Sequence, residues 1–93
     1  MEIIYESKLQ FFARKHSDAR KPLLKWIDIT KTTSWGSFAE VRHTFRSADY
    51  VKNKVIFDIG GNNFRVVTSI NYNAQHVYIL EAMTHAEYIR WKV

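Results

Sequence analysis

Five side chains stand out as capable of chemistry: Lys52, Lys54, Arg65, His85 and Tyr88. Cleavage of RNA by attack of its own 2′-hydroxyl needs neither a metal nor a protein nucleophile. It needs a proton acceptor at that hydroxyl, cations against the dianionic phosphorane-like state, and a proton donor to the departing 5′-oxygen. Those five residues can supply all three. His85 opens the last helical segment, where the positive end of the helix dipole disfavours an imidazolium. Other chemistries lack their signatures. There is no His-Glu-x-x-His and no cysteine for a metal, no Gly-x-Ser-x-Gly elbow, and no phosphate-binding glycine loop. The sequence therefore implies neither metal nor cofactor.

Charge points the same way. Fourteen Lys plus Arg against nine Asp plus Glu give a net charge of +5. The cations are concentrated in two blocks, residues 8–31 (Lys8, Arg14, Lys15, Arg20, Lys21, Lys25, Lys31) and residues 42–65 (Arg42, Arg46, Lys52, Lys54, Arg65). Such asymmetry suits a polyanion or an acidic protein partner. In the second block Arg42, His43, Arg46 and Lys52 are the candidate RNA-binding residues. His16 falls on the inner stripe of a helix and His76 in a turn, so His16 reads as structural and His76 as solvated.

The elements that must position these groups follow from periodicity. At 93 residues, one hydrophobic core and a single domain spanning 1–93 are expected. "EIIY" reads as a short strand and "SKLQ" as a capping box opening a helix over about 7–17, with Leu9, Phe12, Ala13 and His16 inward. A second helix begins between Ser17 and Pro22, with Leu23, Trp26, Ile27 and Thr30 as its inner stripe. "SFAE" caps a short helix over about 38–43, and residues 44–53 read as a loop. "KVIFDIG", "FRVVTSINY" and "HVYILEAM", joined by "GGNN" and "NAQ", make an antiparallel meander, and "THAEYIRW" opens with a third capping box on a terminal helix. The expected fold is α+β, with N-terminal helices packed on one face of a small antiparallel sheet and a short C-terminal helix. Arg65 alternates with Phe64 and Val66 along its strand, which assigns it to the opposite, wet face. The amino terminus carries no signal peptide or membrane span, and the lack of cysteine suits a cytoplasmic location.

The ordered set "SADYV", "VIFDIGGNNFR" and "THAEY" resembles the HigB-type toxins of bacterial toxin–antitoxin modules, within the RelE-like superfamily of mRNA interferases. The resemblance extends over nearly the whole chain. It implies that Arg65 contacts the scissile phosphate, that Lys52 and Lys54 match the basic residues before the first meander strand, and that His85 and Tyr88 match a polar cluster at the start of the C-terminal segment. Many RelE-like enzymes carry a second arginine where this chain has His85. The resemblance implies Arg65 as the phosphate clamp, His85 as an acid or base, Lys54 as a further electrostatic stabiliser, and Tyr88 as a residue that orients the substrate or stacks on a base. The resemblance further implies mRNA on the ribosome as substrate, contact with ribosomal RNA, and neutralisation by a helix-turn-helix, HigA-like antitoxin. Two other classes fit the same scaffold: a noncatalytic RNA-binding module, and a protein-interaction module whose basic helices dock an acidic partner.

Overall fold

A computed structural model describes residues 1–93. The chain runs β1 (Glu2–Ile4), α1 (Ser7–Lys15), a 3-10 turn (Ser17–Ala19), α2 (Arg20–Lys31), α3 (Phe38–Thr44), β2 (Asp49–Val51), β3 (Lys54–Ile59), β4 (Phe64–Asn71), β5 (His76–Thr84) and α4 (His85–Lys92). The five strands form one sheet in the order β1-β5-β4-β3-β2. It is antiparallel from β2 to β5, as the meander requires, but β1 lies parallel to β5 and makes the sheet mixed. No helix is long and apolar enough to cross a membrane.

Alternation along the strands sends Val55, Phe57, Ile59, Phe64, Val66, Val77 and Ile79 to one face, where they meet Leu9 and Phe12 of α1 and Leu23 and Trp26 of α2. Trp35, Val41, Phe45 and Ala48 complete this core, with the Trp35 and Phe57 rings stacked at 6.1 Å. The other face is not wet. Ile56, Val67 and Met83 are covered by Tyr88 and Trp91 of α4, forming a second, smaller core. Because β5 runs directly into α4, the terminal helix can fold back over only the part of that face nearest the junction, which is where Arg65 lies.

Three local expectations need correction. Ser7 does not cap α1: Glu6 occupies the cap position with helical backbone angles and no side-chain hydrogen bond, whereas a capping side chain requires an extended residue there. The box at Ser37 is half formed, since its hydroxyl accepts from Glu40 N–H but the Glu40 carboxylate reaches back to Gly36. The segment read as a loop contains β2, paired with β3 through a turn in which Lys52 and Asn53 both have positive φ (54° and 63°). A lysine there costs conformational energy, and no Asn-Gly signal marks the hairpin.

Candidate active site

The β3–β4 hairpin is set by its turn. Gly60 and Gly61 take consecutive positive φ values of 64° and 68°, which side chains resist, and Ile59 pairs with Phe64 across the four-residue loop. That register places Asp58 opposite Arg65. The Arg65 side chain, only 7% exposed, donates from Nε to the Asp58 carboxylate at 2.9 Å. Nη1 donates to the Phe64 carbonyl at 3.0 Å, and Nη2 donates to Asn62 Oδ1 and to His85 Nδ1 at 3.2 Å. Four of the five guanidinium N–H groups are thus engaged within the protein. The guanidinium also sits 5.3 Å from the centre of the Tyr88 ring, a cation–π geometry. Arg65 is therefore a buried, paired residue, which corrects its assignment to an open face.

Helix α4 holds the other two groups. Thr84 forms a complete capping box with Glu87: its hydroxyl accepts from Glu87 N–H at 3.2 Å, and its own N–H donates to the Glu87 carboxylate at 2.8 Å. The His85 N–H donates to the Asn63 carbonyl at 2.9 Å, tying the helix start to the hairpin turn. The bond from the Thr84 backbone N–H holds the Glu87 carboxyl below the ordinary glutamate range, although partial burial works against it. An arginine cannot accept a hydrogen bond, so His85 Nδ1 is the acceptor and its proton resides on Nε2. Burial raises the Tyr88 hydroxyl above the ordinary tyrosine range, with Asp49 and Asp58 adding to the effect and Arg65 opposing it. Tyr88 is thus a proton donor at neutral pH, not a base.

A cleft of about 300 Å³ opens beside this cluster, lined by Arg42, Arg46, Asp49, Asp58, Arg65, Tyr88 and Lys92, among others. Of the residues singled out in the sequence, the structure gathers Arg42, Arg46, Arg65 and Tyr88 around one cleft, with His85 bonded to Arg65 at its edge. His43 shares a shallow surface outside α3 with Arg42 and Arg46. Lys54 starts β3 at the end opposite Asp58, about 13 Å along the strand. Lys52 lies at the far end of α4, donating to the Trp91 carbonyl with its ammonium 4.7 Å from the centre of the Trp91 ring. Asp49, Asp58, Asn62 and Lys92 were missed. Asp58 was recoverable, since counting outward from "GGNN" puts it opposite Arg65. His16 packs against Phe12 with ring centres 4.5 Å apart, as its inner position implies. His76 is only partly solvated, bonded to Tyr78 and 3.4 Å from Glu2.

A family model for HigB toxins, described as the RelE-like toxic component of a toxin–antitoxin system, matches residues 19–91. The chain belongs to the HigB toxin family. The mRNA interferase HigB of Escherichia coli O6:H1 (strain CFT073) is 32% identical over 91 residues, spanning 95% of this chain and 88% of the relative. The mRNA interferase toxin HigB of Escherichia coli strain K12 is 31% identical over 94 residues, with the same coverage. The match to the HigB family model runs from the 3-10 turn into α4, so it takes in every residue of the cleft except Lys92.

Proposed function

We propose that this HigB-family chain is the toxin of a toxin–antitoxin pair and acts as an endoribonuclease on mRNA, cleaving through the RNA 2′-hydroxyl without a metal. The reading is carried by the Arg65–His85 pair and Tyr88 beside a cleft ringed by Arg42, Arg46 and Lys92. The scissile phosphate sits among those cations. Arg65 turns its Nη2 from His85 Nδ1 to a phosphate oxygen, and the freed Nδ1 takes the proton of the 2′-hydroxyl. The 2′-oxygen bonds to phosphorus, the bond to the 5′-oxygen breaks, and Tyr88 protonates the departing oxygen. The products are a 2′,3′-cyclic phosphate and a 5′-hydroxyl. Lys54 and Lys52 act from a distance, stabilising charge and holding the strand, and His43 serves the outer edge of the RNA surface.

The cleft is small and its arginine is paired in the resting state, so ordering of the message by the ribosome supplies what the free enzyme lacks; positioning alone is worth several kcal/mol. A helix-turn-helix, HigA-like antitoxin is the partner, and the cytoplasm the compartment. Induced expression should arrest growth and yield messages ending in cyclic phosphate, with ribosome-bound mRNA cut far faster than naked RNA. Arg65→Ala should abolish both effects. Full growth arrest by a folded Arg65→Ala protein would remove Arg65 from the site, and equal rates on free and ribosome-bound message would exclude ribosomal ordering.

A further inference from the structure

We infer that the groove between α2 and the β3–β4 turn is a second phosphate-binding subsite, which extends the active-site cleft along a single-stranded RNA. The inference rests on the proposed ribonuclease function. The groove, about 600 Å³, is lined by Lys21, Lys25 and Trp26 on one side and by Asp58, Gly60 and Gly61 on the other. It meets the cleft at one shared lining residue. Asp58 belongs to both, and the end of α3 divides them, with Arg42 and Arg46 on the cleft side and Thr44 and Phe45 on the groove side. Gly60 is two residues from Asp58, about 7 Å along the chain, so a strand seated at Arg65 reaches the groove with its neighbouring phosphates.

The groove has the chemistry such a strand requires. Lys21 and Lys25 are exposed, lie one helical turn apart on the same face of α2, and form no ion pair. The two left-handed glycines leave the turn without side chains, and the space beyond the Gly61 Cα is open for 4 Å. Trp26 forms part of the wall, and its indole N–H, buried and without a hydrogen-bond partner, reports on the groove without contacting the strand. The only acid lining the groove is Asp58, already neutralised by Arg65. The other cationic cleft, where Lys8, Arg14 and Lys15 of α1 face β5, also contains Glu81 and Glu87, which repel phosphate. The basic block of residues 8–31 is therefore divided between two surfaces. Contacts from Lys21 and Lys25 to phosphates contribute affinity without sequence preference.

The test is an NMR titration of the whole protein with a single strand carrying 2′-deoxy sugars, which binds but cannot be cleaved. The Arg65 Nε–H resonance reports the cleft and the Trp26 indole resonance reports the groove. Both should move in the wild type. In Lys21→Glu/Lys25→Glu, the Trp26 signal should stay still and the Arg65 signal should move only at about tenfold higher strand concentration, with the salt slope reduced by about 1.4. Lys8→Glu/Lys15→Glu, an equal change in charge elsewhere, should match the wild type. A wild type that cleaves message and shifts Arg65 but not Trp26 overturns the subsite and leaves the function intact. Equal weakening by the two double reversals does the same. A wild type that neither binds nor cleaves overturns the function, and the subsite with it.

Discussion

Arg65 is held by Asp58, Asn62, the Phe64 carbonyl and His85 before any substrate arrives. Removing it takes the ion-pair partner from the half-buried Asp58 carboxylate and the donor from the Phe64 carbonyl and His85 Nδ1. Arg65→Ala should therefore lower stability by about 1–3 kcal/mol as well as abolish activity, and urea unfolding beside a growth assay separates the two effects. A solvated arginine would have cost nothing. Tyr88 gives a second outcome at this scale. Its titration is raised by burial, so the stability it contributes is complete below about pH 10 and declines as pH rises through the folded-state value. Alkaline unfolding curves should show that decline, and Tyr88→Phe should flatten part of it, the rest remaining with Tyr72, which burial also raises. The residue types of the site were legible because Arg65, His85 and Tyr88 each follow a clear local signal, a turn or a cap. The burial of Arg65 was not, since alternation reports only which face a side chain takes.

The α4 helix is the element on which the site depends, because His85 and Tyr88 occupy its first turn. Thr84→Ala removes one half of the capping box and should cost about 0.5–2 kcal/mol, with a larger proportional loss of activity as the helix start frays. Glu87→Gln tests the other half. The lowered Glu87 titration means that its carboxylate stabilises the fold at neutral pH and that this is lost as pH falls below about 4.3. Thermal unfolding should thus find the variant less stable than wild type at pH 7 and indistinguishable from it in strong acid. Of three boxes read from the sequence, only this one is complete: Thr84 and Ser37 both enter their helices extended, at ψ 164° and 167°, but the Glu40 carboxylate accepts from Gly36 N–H while the Glu87 carboxylate accepts from Thr84 N–H. Glu6, arriving from the turn at Tyr5, already has helical angles at the cap of α1, so Ser7 has no orphan N–H to satisfy.

For the molecule as a whole, stability resides in the larger core, where Trp35 stacks on Phe57 and its indole N–H donates to Thr44 Oγ1 at 3.0 Å. Trp35→Ala should cost about 3–5 kcal/mol, a large share of the ~5–15 kcal/mol that holds a domain together, and Trp35→Phe much less; denaturant midpoints measure both. The two readings that fit the scaffold without catalysis receive no support from a cleft lined by Arg65 and Tyr88 with His85 bonded to Arg65 at its edge. By itself the sequence determined the helices, the three-stranded meander, the hairpin register and the capped terminal helix, because each depends on residues within a few positions of one another. Only the tertiary structure decided that β1 joins the sheet in parallel, that α4 covers the second face and buries Arg65, that Lys52 and Lys54 stand away from the cleft, and that the N-terminal cations divide between two grooves. Each of these outcomes depends on which surfaces meet over long separations in the chain, and apolar burial rewards such meetings without leaving a local pattern to read.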